Sequence, residues 1–257
     1  TAAGLYQAAL PIDRDFRARQ ARVEFRLRRG FWHSARAEAA GRVTAPAPLR
    51  VVESSTEPVN VRAGPERGYM LFPLRGTRFV SDGRLGSQLR LRLSAAEAGW
   101  GSAGSFKLLP EGTPPPEAVL SSIKTVWGGP RESWVRMDLT ELAPVEVLED
   151  GEWVHVRLHN TVGHCNWVVY DSTDTIIKEV RWRQEDARTA RVSLRLDPAV
   201  TLWGWRLAWE PGAMSIILRR PPNPDLFGPS PLKDLTFVLD PGHSPGKNEG
   251  AIGPMGT

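Results

Sequence analysis

His243 stands where a short strand meets a glycine-rich loop, a place that suits a metal ligand. Residues 235–239 (LTFVL) form an apolar run rich in β-forming residues, which predicts a buried strand. Residues 240–242 (DPG) end it, because proline cannot donate to a sheet ladder and glycine frees the backbone. His243 should therefore lie at the carboxyl end of the strand, where open α/β sheets carry their ligands. A neutral imidazole held there is a natural zinc ligand.

Two short motifs in this region resemble a known family. Residues 238–243 (VLDPGH), followed by 250–254 (GAIGP), closely resemble the opening of the catalytic domain of zinc-dependent N-acetylmuramoyl-L-alanine amidases. These enzymes cleave the amide between the glycan and the stem peptide of peptidoglycan. The resemblance implies that residues 234–257 begin an α/β zinc amidase domain and that His243 is its first zinc ligand. An ordinary β-turn at 240–243 is the alternative.

The resemblance also implies groups that lie beyond these motifs. The family's other ligands, a glutamate and a second histidine, and its catalytic glutamate come later in the family pattern, whereas this sequence ends at Thr257. Catalytic zinc takes roughly three protein ligands and a water. Glu249 falls on a loop position of the family, and we do not expect it to bind metal. We therefore expect this chain alone to be inactive and to hold zinc weakly, while its complete parent is an amidase.

A second group of residues suits ligand binding rather than metal chemistry. Eight of the ten tryptophans fall between residues 127 and 209, more than a core of that size needs. Strand alternation places two of them beside arginines on an outward side, and we expect both to belong to one polymer-binding face. An indole can stack on a sugar ring while a guanidinium pairs with a carboxylate or phosphate. The candidate ligand-binding residues are Trp134, Arg136, Trp153 and Arg157. The alternative is that another sheet or a linker covers them.

Four potential metal ligands crowd into eleven residues: His155, His159, His164 and Cys165. On an extended strand the first two histidines would face the same side. No acidic residue or second cysteine completes a recognised ligand spacing. The pattern therefore favours hairpin residues over a metal site.

Alternating apolar residues predict the elements that hold the tryptophans. Trios at 135/137/139, 154/156/158 and 192/194/196 each share one side of a strand. Asp150-Gly151 lies between two such runs and predicts a hairpin. Residues 119–220 are therefore expected to form a β-sandwich, bounded by linkers at 110–118 and 221–233. The strand pattern and its position before the amidase motif resemble the AMIN domain, which localises such enzymes in the envelope.

The preceding residues resemble another small domain. Residues 58–65 (PVNVRAGP) and 74–77 (LRGT), with Trp100 closing the pattern, resemble the bacterial Src-homology-3-like barrel over residues 51–109, a family that commonly binds envelope polymers. We expect Trp100 to be a core residue. Residues 31–45 align with 89–103 at an offset of 58, which predicts a partial or degenerate repeat in residues 1–50.

Composition sets broad limits. With 257 residues, 22 prolines and 24 glycines, the chain should contain several domains with many turns. No apolar run approaches the roughly 18 residues of a membrane span, and no signal-peptide pattern opens the sequence. Cys165 is the only cysteine, so an internal disulfide is impossible and cysteine usage leaves the redox compartment open.

The basic charge is concentrated at the start of the chain. Residues 1–50 hold ten arginines against four acidic residues. This stretch could meet an anionic polymer or form the solvated side of a strand pair, and the alternation at 22–28 favours the strand pair. No nucleic-acid motif accompanies the charge.

These observations predict a mainly β chain: Src-homology-3-like barrels, an AMIN-like sandwich and the first strand of an α/β zinc amidase. The expected function is envelope targeting for a secreted or periplasmic peptidoglycan amidase. Peptidoglycan or another envelope polymer would be its partner, with envelope proteins as further possible partners and neither nucleic acid nor a transmembrane segment involved. The alternative is a non-catalytic envelope-binding or structural protein with a vestigial amidase opening.

Overall fold

The computed structural model describes residues 49–224 except 66, residues 227 and 230, and the backbone of two strands before residue 49. The predictions for residues 234–257, including His243 and Glu249, lie outside the described residues. The chain divides into two units, residues 1–220 and 221–257, and the elements below belong to the first. The described part is mainly β, as predicted, with nineteen strands, one short 3-10 turn at Ala103–Ser105 and no α-helix among these residues.

Seven strands form the N-terminal sheet. They are β3 (Arg50–Ser54), β4 (Val61–Arg62), β5 (Tyr69–Leu71), β6 (Arg78–Leu85), β7 (Gln88–Arg92), β8 (Ala98–Ser102) and β9 (Phe106–Leu108). Their order in the sheet is β5-β4-β8-β7-β6-β3-β9, and every pairing is antiparallel. Among the described strands the ladder stays open, because β5 and β9 are its two edges. The expected closed barrel is therefore observed as an open sheet.

This sheet carries its own core. Leu71 near one edge and Phe106 at the other belong to one buried cluster with Phe79, whose ring meets Phe106 edge-on at 5.8 Å between centroids. The Phe106 ring of β9 also lies against Gly101 of β8, four strands away in the sheet order, so the sheet curls around its apolar face. Trp100 is buried, which confirms its predicted core position. Gly99 permits the close approach of neighbouring strands, since a Cβ there would collide with Val61.

Two earlier strands, β1 (Ala21–Arg26) and β2 (Trp32–Ala37), pair antiparallel. The offset of 58 residues found in the sequence places them on the positions of β6 and β7, which also pair antiparallel. The predicted strand pair is thus present. Whether residues 1–50 form half of a repeat stays a prediction, because most of them lie outside the described residues.

Ten strands form the remainder of the first unit. They are β10 (Ala118–Trp127), β11 (Glu132–Leu139), β12 (Val145–Asp150), β13 (Trp153–His159), β14 (Thr161–Gly163), β15 (Val168–Val169), β16 (Ile177–Asp186), β17 (Thr189–Leu196), β18 (Gly204–Glu210) and β19 (Ala213–Arg219). The first sheet has the order β14-β10-β11-β19-β18, with β15 also pairing with β10, and the second has the order β12-β13-β17-β16. The chain alternates between the sheets in strand pairs.

The two sheets share one hydrophobic core, so this region is a sandwich. The alternating trios predicted from the sequence are all buried, from Val135, Met137 and Leu139 in the first sheet to Val154, Val156 and Leu158 in the second. The predicted hairpin is confirmed, with β12 and β13 joined through Gly151, whose φ of 61° requires glycine-like freedom. Apolar side chains on one side of each strand thus form the core and leave a polar outer face on each sheet.

The N-terminal sheet packs against the sandwich. Leu74 packs on the sandwich core, and Arg78 pairs with Glu141. The predicted linker, 110–118, is irregular up to β10 but not free, since Arg188 of the sandwich donates a hydrogen bond to the Pro116 carbonyl at 2.6 Å. Side chains from both regions therefore meet at a defined junction.

Candidate functional site

The four candidate ligand-binding residues do not form one site. Trp134 and Arg136 lie on β11 in the first sheet, whereas Trp153 and Arg157 lie on β13 in the second. Because the sheets pack through their inner faces, the two pairs occupy opposite outer faces of the sandwich. We call the outer face of the first sheet the Trp134 face and that of the second sheet the Trp153 face.

Trp134 is half-buried, and its ring and its indole N–H both contact neighbouring residues. Its indole N–H donates to the Glu132 carboxylate at 3.3 Å, and a Cβ added at Gly128 would collide with the ring. The guanidinium carbon of Arg206 lies 5.8 Å from the ring centroid. In the neighbouring strand Ile217 stands opposite Trp134 and is fully buried even though it belongs to the outer face. Trp134 therefore covers part of the sheet and has little unused hydrogen-bonding capacity.

Arg136 on the Trp134 face is paired with two carboxylates. Arg136 donates to Asp138 at 3.1 Å and to Glu210 at 3.1 Å. Burial raises the pKa of Asp138, but a hydrogen bond from Ser122 and the charges of Lys124 and Arg136 outweigh it and lower the pKa. The guanidinium that was expected to bind a ligand is thus already paired.

The Trp153 face presents a half-buried aromatic pair. The rings of Trp153 and His155 stack with centroids 6.1 Å apart and an interplanar angle of 10°. The guanidinium carbon of Arg181, on β16, lies 5.2 Å from the Trp153 centroid. The Trp153 indole N–H has no acceptor among the described residues. A flat ligand could therefore contact this stack and accept its N–H bond.

Arg181 adds an available cation beside the stack. Its side chain is 66% exposed, and only its Nε is used, donating to Glu179. The two terminal nitrogens have no partner in the described part of the chain. Arg181 was not among the candidates predicted from the sequence, although its alternation with Arg183 on one side of a strand was a signal that could have indicated it.

Arg157 lies on the same face but plays a structural part. It donates to Glu185 at 2.8 Å, to Glu146 at 2.7 Å and, across the junction with the N-terminal sheet, to Glu97 at 2.9 Å. Burial lowers the pKa of Arg157, but hydrogen bonds to the three carboxylates outweigh it and raise the pKa. Because each of its three nitrogens donates to a carboxylate and its side chain is only 14% exposed, Arg157 joins the two regions.

The histidines and the cysteine considered as metal ligands are not brought together. His155 pairs with Ser193 at 2.9 Å, whereas His159 is fully buried with its Nε2 3.7 Å from Glu146. His164 is exposed, and Cys165 is buried with its Sγ 3.0 Å from the Trp167 carbonyl. In the part of the chain that the structure describes, no three such side chains are grouped to hold a metal. Burial and then the charge of Arg191 lower the pKa of His155, which is therefore neutral at pH 7.

Comparison of the chain with protein-family models, curated proteins and solved structures finds no match. Within the described ranges, the structure contains no helix that could cross a membrane. The residues themselves therefore carry the functional argument.

Proposed function

We propose that this chain is the envelope-targeting part of a peptidoglycan amidase and that the Trp153 face binds the polymer. The binding half of the proposal rests on one observation, the stacked Trp153 and His155 rings with the exposed guanidinium of Arg181 beside them. Sugar rings present flat C–H faces that stack on indole, and stem peptides present carboxylates that pair with arginine. The face thus combines both kinds of group that peptidoglycan would contact.

The amidase half of the proposal rests on the two motifs at 238–243 and 250–254. In the complete parent, His243 would be a zinc ligand, and the metal would polarise the scissile carbonyl and activate water. The curled N-terminal sheet would then correspond to the Src-homology-3-like domain and the sandwich to the AMIN domain. The alternative, a non-catalytic envelope-binding protein, requires the same polymer binding but no hydrolysis.

Co-sedimentation with insoluble peptidoglycan tests the binding half. We expect the chain to pellet with purified peptidoglycan at physiological salt and to remain in the supernatant with cellulose, an insoluble glycan that lacks stem peptides. A protein that stays in the supernatant with peptidoglycan contradicts the proposed binding.

Activity of a longer protein tests the amidase half. A parent extended through a full catalytic domain should release dye from labelled cell walls, and His243→Ala should abolish that release without changing thermal unfolding of the β regions. If the His243→Ala variant still releases dye, the family assignment is wrong. For the 257-residue chain we expect no stoichiometric zinc after dialysis at neutral pH.

A further inference from the structure

A cleft of about 370 Å³ opens at the junction of the N-terminal sheet and the sandwich. Its lining includes Arg75, Gly76 and Arg78 from one region and Glu141, Trp209 and Gly212 from the other. Small-molecule sites are commonly clefts of roughly 300 to 1,000 Å³ and often lie between domains. The cleft has this size and this location, and it is distinct from both outer faces of the sandwich.

The cleft carries one unpaired positive charge. Arg78 and Glu141 pair with each other, and the other carboxylate oxygen of Glu141 accepts the backbone N–H of Glu117. Arg75 is exposed and has no hydrogen-bond or ion-pair partner among the described residues. A charge left over after its neighbours are paired favours an anionic ligand.

The sandwich side of the cleft contributes one aromatic residue, Trp209. Trp209 is half-buried and packs partly against the sandwich core, and its indole N–H has no acceptor in the described ranges. Gly76 and Gly212, with φ of 89° and 92°, leave open space where a side chain would stand, since nothing lies within 4 Å of a Cβ built on either. The cleft can therefore admit a ring against Trp209 and a carboxylate near Arg75.

We propose that this cleft binds a carboxylate-bearing glycopeptide, with its sugar ring against Trp209 and a peptide carboxylate on Arg75. The identity of the ligand as a peptidoglycan fragment rests on the proposed function, whereas the charge and shape of the site do not. The cleft would bind a single glycopeptide unit, while the Trp153 face contacts the extended polymer.

Calorimetric titration of the full chain with N-acetylmuramoyl-L-alanyl-D-glutamate tests the proposal. Replacing Arg75 by glutamine should weaken binding about tenfold, the usual consequence of losing one charge-assisted hydrogen bond. The same fragment with its carboxylates converted to amides should bind the unchanged protein about tenfold more weakly. Arg131→Gln is the matched control. The Arg131 side chain is also exposed and has no partner in the described part of the chain, but Arg131 precedes the start of β11, whereas the cleft residue Glu141 follows its end.

Four results overturn the proposed ligand site in the cleft. The first is wild-type affinity in Arg75→Gln, and the second is an Arg131→Gln variant that loses as much. Absence of muropeptide binding by a chain that still pellets with intact peptidoglycan also overturns the cleft, yet it leaves the proposed function standing. A chain that neither binds the muropeptide nor pellets with peptidoglycan contradicts both the cleft site and the proposed function.

Discussion

The two outer faces of the sandwich place tryptophan beside arginine in the same way but use them differently. On the Trp134 face the indole N–H is bound to Glu132, and Arg136 is held by Asp138 and Glu210. On the Trp153 face the indole N–H is unused in the described residues, whereas each indole has an exposed arginine beside it, Arg181 on this face and Arg206 on the other. The comparison shows that residue type and strand side do not identify a binding residue. We propose the unused hydrogen-bonding capacity of its groups as the better criterion.

The largest expected effect concerns Arg157, which lies on the Trp153 face and joins the sandwich to the N-terminal sheet. Replacing it by methionine keeps the apolar stem but leaves Glu97, Glu146 and Glu185 without their shared partner. We expect a loss of about 3 kcal/mol in the free energy of unfolding, measured by urea titration. Arg136→Met, on the other face and more exposed, should cost less than about 1 kcal/mol. Equal losses in the two variants would show that Arg157 has no special structural part.

The next effect concerns the exposed cations near the two indoles. Arg181→Gln should weaken peptidoglycan binding about fivefold, because it removes an available guanidinium beside Trp153, and should leave unfolding nearly unchanged. Arg206→Gln makes the same change beside Trp134 and should bind as the unchanged protein does. Quantitative co-sedimentation measures both. Weaker binding by Arg206→Gln alone would reverse the assignment of the faces.

The smallest effect is a change in one pKa on the Trp134 face. Burial raises the pKa of Glu132, but hydrogen bonds from Arg219 and Trp134 outweigh it and hold the pKa below its ordinary 4.5. Because the folded-state pKa is lowered, this group stabilises the protein above about pH 4.5, and the contribution is lost as pH falls through the folded-state pKa.

Trp134→Ser should therefore move the pKa of Glu132 upward and reduce stability near pH 7 more than at acid pH. Carboxyl resonances followed by NMR across the acid range measure the shift, with Glu179 on the other face as the internal control. A Glu132 pKa that does not move would mean that the indole bond contributes nothing to this carboxylate.

Sequence patterns predicted the inner faces well because a strand alternates with a period of two. Val135, Val154 and their neighbours were correctly placed in the core, and Gly151 was correctly placed in a hairpin. The same period distinguishes inward-facing from outward-facing side chains, but it does not indicate which of the two sheets a strand joins. Trp134 and Trp153 were therefore assigned to one surface, although they lie on opposite faces.

The partners of the arginines were not predictable for a related reason. Arg157 meets Glu185 and Glu97, which lie 28 and 60 residues away in the chain. Such pairs depend on strand register and on how two regions dock, and neither is encoded in local periodicity. The two unused terminal nitrogens of Arg181 became evident only when the hydrogen bonds of Arg181 and its neighbours had been assigned.

The most direct test of the Trp153 face is the binding difference between two single substitutions, Trp153→Ser and Trp134→Ser. Each variant is first checked for a cooperative thermal transition and then titrated with insoluble peptidoglycan. We predict about thirtyfold weaker binding for Trp153→Ser, as for an aromatic anchor that contributes about 2 kcal/mol, and a change below about threefold for Trp134→Ser. A folded Trp153→Ser protein that binds as tightly as the unchanged chain, or a larger loss in Trp134→Ser, would contradict the account.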